Sequence, residues 1–355
     1  MNLYRDNAWV RWVVFAAAAI LLVVLPLMLP VFVNQTLIRM GVFAVAVLGL
    51  NIIMGYAGQV SLGQIFFVGV GAYVTAYGVN NDWNILIVLA LACIVPGVIG
   101  LVIALAAARL GGLAIAMVTI ALPIVGVPLA KRLSEFTGGS QGTSARFSGA
   151  PEGVGLADDQ WQYYIVLLIT AIAFLLARNL VTGKFGRAMT IVRENEAVAS
   201  AMGISPYRYK VLAFTIASIY GGAAGFLYMV AVQYTSPETM NFGHSIELLA
   251  AMVIGGAGSI VGSLIGGVYY VLVPQFTNEV APNLTALIQG AVLLAVLFLL
   301  PGGLVRLPRL LARAFRRGGQ TRSGPGSSPD DTPPNDPPGD PSGEDPTHRE
   351  RQGHA

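Results

Sequence analysis

A chain of 355 residues that is 55% hydrophobic and only 11% charged cannot clothe a soluble surface, because a water-facing domain carries roughly 25% charged residues. The net charge of +3 conceals a split: residues 1–317 hold eighteen Lys/Arg and eleven acids, residues 318–355 three and seven. Lipid is therefore the main solvent. Unbroken apolar runs of about 20 residues predict spanning helices, in place of the ~10-residue alternation of a membrane barrel.

Trp12 to Val33 is the first span, ended by Pro26 and Pro30, and Gln35 to Met54 is the second. The first run is too long for a cleaved signal segment and lacks a small-residue cleavage site. A glycine-rich break from Gly55 to Gln64 leads into a third run, Ile65 to Val79. Ile85 to Ala108, which contains the sole cysteine Cys93, and Leu113 to Ala130 follow, joined at Arg109-Leu110-Gly111-Gly112 in what reads as a tight helical hairpin. A mixed-charge loop occupies residues 131–161, and Gln162 to Val181 recrosses the membrane. After the polar stretch 182–210 come Val211 to Val232, a connection with Pro237, and Ile246 to Ile254, too short to span alone. Gly255-Gly256-Ala257-Gly258-Ser259 breaks that segment, and Val261 to Phe276 and Leu284 to Leu300 complete the set before a run of arginines.

The expected fold is an all-α integral membrane protein, a polytopic helical bundle of about 8–10 transmembrane segments with two glycine-broken segments in related halves. Residues 1–317 form the transmembrane domain, and the Pro/Asp-rich residues 318–355 form a disordered tail, because they cannot bury enough apolar surface to offset their ordering entropy. A cytoplasmic N-terminus puts fourteen of the eighteen cations of residues 1–317 inside. Both termini and the 182–210 stretch are thus expected in the cytoplasm.

The two breaks match across an offset of 200, Gly55, Ala57 and Gly58 against Gly255, Ala257 and Gly258. Interrupted hydrophobic segments at corresponding places point to a transport pathway, whereas glycines also serve plain close packing of helices. The pathway reading takes Gly55, Gly58, Gln59, Ser61, Gly63, Gln64, Gly255, Gly256, Gly258 and Ser259, with Glu247 as the one carboxylate well inside an apolar run. No GxxxxGK[ST] loop, metal-ligand cluster or nucleophile triad is present. The chain therefore offers no catalytic residue, no metal site, no cofactor and no sign of a nucleic-acid partner, and any ATP must be hydrolysed by another subunit.

Within 182–210, Glu194-Asn195-Glu196 opens a short helix, Gly203 stops it, and Ser205-Pro206 starts the next. Ala197, Val198, Ala201 and Met202 give this exposed helix an apolar surface, which suits burial by a partner.

At these residues the sequence resembles the permease subunits of ATP-binding cassette importers for branched-chain amino acids, of the type called LivM. The resemblance covers most of residues 41–305. It is carried by Leu50-Asn51-Ile52-Ile53-Met54-Gly55-Tyr56-Ala57-Gly58 with Ser61-Leu62-Gly63-Gln64, by Arg109-Leu110-Gly111-Gly112-Leu113 and Thr137-Gly138-Gly139-Ser140, and by Gly186-Arg187-Ala188 with Arg193-Glu194-Asn195-Glu196 and Ala201-Met202-Gly203. Ile246-Glu247-Leu248-Leu249 with Gly255 to Ser259 completes it. The resemblance implies a bacterial cytoplasmic (inner) membrane importer with a second paralogous permease, two ATP-binding cassette ATPases and an extracytoplasmic substrate-binding protein. Its ATPase-coupling residues would be Arg193, Glu194, Asn195, Glu196, Ala197, Ala201, Met202 and Gly203. Here Glu196-Ala197 to Gly203 is one residue longer than the general EAAxxxG pattern of such permeases. Urea or short-chain amides stay open as substrates, and an ion-coupled transporter acting alone stays open as a rival class.

Overall fold

The computed structural model describes residues 21–107, 112–147, 149, 156–280, 284–299 and 302–306. Residues 12–20 of the first span, 109–111 of the hinge, the arginines beyond Arg306 and the 318–355 tail lie outside the described residues. Of two units, Met1–Leu310 and Leu311–Ala355, the first contains every described residue.

Helix α1 occupies residues 21–28, and Pro30, in extended conformation, begins α2, Val31–Leu50. The expected break at Gly55 falls slightly later, because α2 runs on through a π-helical turn, Asn51–Tyr56. Residues 57–63 then lack helix, and α3, Gln64–Asn80, resumes. Next come α4 (Ile85–Ala107), α5 (Gly112–Arg132), α6 (Ser134–Thr137) and α7 (Asp158–Thr182). The polar stretch forms α8 (Lys184–Glu194) and α9 (Glu196–Ala201), and Pro206 starts α10, Pro206–Val232, at the place expected for it. Helix α11 (Phe242–Gly255), α12 (Ile260–Val280) and α13 (Thr285–Leu299) finish the described chain. Six helices among the described residues are long and apolar enough to cross a membrane, and two shorter apolar helices lie within α11 and α13. Among the described residues the β structure is a two-residue antiparallel pair, β1 (Thr143–Ser144) with β2 (Tyr234–Thr235), inside loops that read as irregular.

Helices α2 and α10 form the centre, each two-thirds buried over its apolar window, whereas α4, α5, α7 and α12 are mostly exposed and present Leu, Ile and Val outward as a lipid-facing surface does. Helices in lipid gain little from apolar burial against one another, so close approach through small residues sets their contacts. Gly222 of α10 has its Cα beneath the Ala92 carbonyl and Pro96 of α4, while Gly97 and Gly100 of α4 receive Ile219 and Ser218. Gly71 and Gly225 let α3 and α10 meet, and Gly266 and Gly267 seat α12 on Val47 and Ala44 of α2. Phe67 packs edge-on to Phe214 at 5.8 Å.

These glycines overturn the tight hairpin expected of α4 and α5. Helix α4 lies along α10 and α3 and meets α5 over only a short stretch. A cavity of about 470 Å³ opens between α3, α4 and α5, walled by Phe66, Tyr77, Trp83, Val95 and Leu129. The small-residue face of α4 follows α10, so sequence neighbourhood does not select its partner.

The connections sort to two ends. At one end Lys131 pairs with Glu238 at 3.1 Å, β1 pairs with β2, and Asn80 Nδ2 donates to the Ser144 carbonyl at 3.0 Å. At the other, Tyr207 donates to the Leu105 carbonyl at 3.1 Å, Gln59 Nε2 donates to the Lys210 carbonyl at 3.1 Å, and residues 302–305 close over Gly256. The second end gathers α8, α9 and both breaks.

Candidate functional site

Helix α8 folds back at the foot of α7, and Gly186 is required there because any β-carbon would strike the Val181 backbone. Its inner face buries Ala188, Met189 and Val192, and Met189 sits in a cluster with Ala57 of the first break and Ala213 of α10. Helix α9 is only six residues long, too short to hold itself, and both its ends are closed by side chain or turn. Asn195 Oδ1 accepts from the Ala197 and Val198 amides at 2.9 and 3.1 Å, an N-cap worth about 1 kcal/mol. At the far end Ile204 N–H reaches the Ala199 carbonyl at 2.9 Å and Gly203 N–H reaches Ser200 at 3.0 Å, with Gly203 left-handed at φ 77°. This is the Schellman stop, which favours glycine at that position. Glu196 binds Lys210 of α10 at 2.6 Å, and Ala199 is buried beneath the helix. The exposed residues of this segment include Arg193, Glu194, Ala197, Ala201, Val198 at 49% exposure and Met202 at 62%.

The two glycine breaks, 200 positions apart, lie against each other. Gly58 and Gly258, at matched positions, take the same left-handed conformation, φ 70° and 75°. Asn51, fully buried in the π turn, accepts from Gly258 N–H at 2.7 Å and donates to the Ser259 carbonyl at 2.7 Å and Ser263 Oγ at 2.9 Å. Its oxygen thus satisfies the Gly258 N–H, which the break leaves without a helical partner, and its nitrogen joins a Ser259 carbonyl that also accepts from Ser263 N–H at 3.2 Å. A β-carbon on Gly55 would overlap the Gly258 amide and Asn51 Oδ1; one on Gly255 would overlap the backbone of Gly262. Arg193, in the last turn of α8, donates from Nη1 to the Gly55 carbonyl and lays its stem against Gly58.

The polar pathway candidates are mostly engaged in this state. Gln59 and Gln64 donate to carbonyls of α10, Lys210 and Ala217, at 3.1 and 3.0 Å, and Ser61 is buried. Gly63 rests on Thr119 and Leu122 of α5. Glu247 lies apart from the breaks, near the Lys131–Glu238 end, where it meets His244 at 3.1 Å and lines a cavity of about 250 Å³ with Tyr269 and Tyr270. Tyr270 also borders a cavity of about 590 Å³ with Arg39 and Glu279, and one of about 240 Å³ with Ser236, Glu238 and His244. Asn51 and Tyr270 were not among the sequence candidates. A lone Asn inside an apolar run is a usable signal because an uncompensated polar group in lipid is costly; Tyr270 carries none. Among the described residues no group of three His, Cys, Asp or Glu could hold a metal.

A model of the branched-chain amino acid transport system permease component family matches residues 32–297. The chain belongs to that family. It is 28% identical over 296 residues to the high-affinity branched-chain amino acid transport system permease protein LivM of Escherichia coli K12, and 27% to that of Salmonella typhimurium LT2. In both cases the match covers 76% of this chain and 68% of the relative. LivH of E. coli K12, another permease protein of that system, is 26% identical over 148 residues, 41% of this chain and 48% of its own. No solved structure matches. The chain is thus a multi-pass membrane transport component of the LivM type and not an enzyme, and its family includes a paralogous permease.

Proposed function

We infer that this chain works as one of two paralogous permeases in an ATP-driven importer that moves branched-chain amino acids into the cytoplasm across the inner membrane. Two ATP-binding cassette subunits supply the energy and an extracytoplasmic binding protein supplies the substrate. The observation that carries this reading is α9: a doubly capped surface helix with Val198 and Met202 outward, on a chain with no phosphate-binding loop of its own. Exposed apolar side chains on a rigid short helix suit insertion into a groove of a partner. The cation bias supports a cytoplasmic α8–α9 end, with both termini on the same side. Residues Arg193 to Gly203 form the ATPase-coupling surface, and the paired breaks form the part of the pathway that moves.

Reconstitution of the two permeases with two ATPases and the binding protein in liposomes tests this. ATP-dependent accumulation of leucine, isoleucine or valine is expected, with urea and acetamide neither transported nor competing. Uptake by this chain alone under an ion gradient, without ATPase, would overturn it.

A further inference from the structure

We propose that Arg193 is the positioning residue that transmits motion of the α8–α9 segment to both glycine breaks, by holding the Gly55 carbonyl while Asn51 ties Gly55's turn to Gly258. Three sequence-distant segments meet within one hydrogen-bonded cluster. The Arg193 guanidinium donates to the Gly55 carbonyl, its Nη1 lies 3.6 Å from where a β-carbon of Gly258 would stand, and its stem fills the space beside Gly58. The Asn51 amide, one turn before Gly55, accepts from Gly258 and donates to Ser259 and Ser263. Gly55 belongs to the final turn of its helix, where carbonyls run out of amide partners and a cation is favoured. Met189, one turn before Arg193, packs on Ala57, so α8 grips the first break by an apolar contact as well as by the charge-assisted bond.

The connection is short. Glu194 and Asn195 are all that separate Arg193 from α9, so a partner that shifts α9 pulls on backbone at the breaks through one side chain. The breaks can respond because Gly58, Gly256 and Gly258 lie in non-helical backbone at positive φ. Lysine could make the one bond to Gly55, but as a compact ammonium without the planar guanidinium.

The test uses the complete reconstituted importer and reads uptake and ATP hydrolysis together, so that absence of transport in the wild-type complex counts against the function proposed above and not against this residue role. Arg193→Ala is expected to lower the uptake per ATP hydrolysed about tenfold or more, the range of an ordinary coupling free energy. Arg193→Lys should recover part of the uptake. Asn51→Ala should lower the same ratio, and the Arg193/Asn51 double variant should be no worse than the poorer single one, as expected for groups acting as one unit. In a Cys93→Ala background, Ser61→Cys, buried at 2% exposure in this state, should react faster with maleimide when Arg193 is replaced. The role is overturned if Arg193→Ala leaves uptake per ATP unchanged, if uptake and hydrolysis fall in parallel with no recovery by Lys, or if Ser61→Cys reacts at an unaltered rate.

Discussion

Glycines of this chain differ in what they permit, and the difference is measurable. Gly203 has open space around its missing side chain but a φ of 77°, so Gly203→Ala carries only the left-handed penalty of about 1 kcal/mol. Gly55 has no such backbone strain, yet a methyl there meets the fixed amide of Gly258 and the Asn51 side chain. Gly55→Ala should therefore destabilise by overpacking, about 1–3 kcal/mol, and by opening the Asn51 bonds besides. Thermal unfolding of the purified permease in detergent should show Gly55→Ala losing clearly more than Gly203→Ala; equal losses would mean the breaks do not press on one another. The Glu196–Lys210 pair invites less expectation. Its carboxylate is 57% exposed, and a double-mutant cycle should return under about 1 kcal/mol.

At the scale of the element, α9 shows how six residues become a surface. Neither its length nor its composition suffices; Asn195, the Gly203 turn and buried Ala199 hold it. Asn195→Ala should speed hydrogen exchange of the amides at 197–204 by about fivefold, the factor for a cap of about 1 kcal/mol, without changing exchange in α10. Met202→Glu touches no core, so permease stability should stay within about 0.5 kcal/mol, whereas copurification of the ATPase should be lost. Undiminished ATPase capture would remove α9 as the contact. This much was legible in sequence because caps and stops are local: Asn195, Gly203 and Ser205-Pro206 each act within a turn of their own position. The start of the first break was not, since the π turn that carries helix on to Tyr56 is tied by contacts of Asn51 to residues 258–263.

For the whole molecule, the sorting of connections into two ends makes orientation testable. With Cys93 replaced, Met202→Cys should react with a membrane-impermeant maleimide only from the cytoplasmic face, and Ser144→Cys, beside β2 at the opposite end, only from outside. Labelling of both from one side would refute the topology inferred from the cations.

By itself the sequence determined the solvent, the approximate spans, the charge asymmetry and the family, because apolar run length, cation placement and motif identity are properties of adjacent residues. Only the tertiary structure decided that α4 follows α10 instead of α5, and that Asn51, Gly55, Arg193 and Gly258 share one site. Small residues state that a helix can be approached closely, but not by which neighbour. The breaks, first visible as two glycine-rich interruptions, became a site through bonds spanning 138 and 207 positions, a separation at which local pattern carries no information.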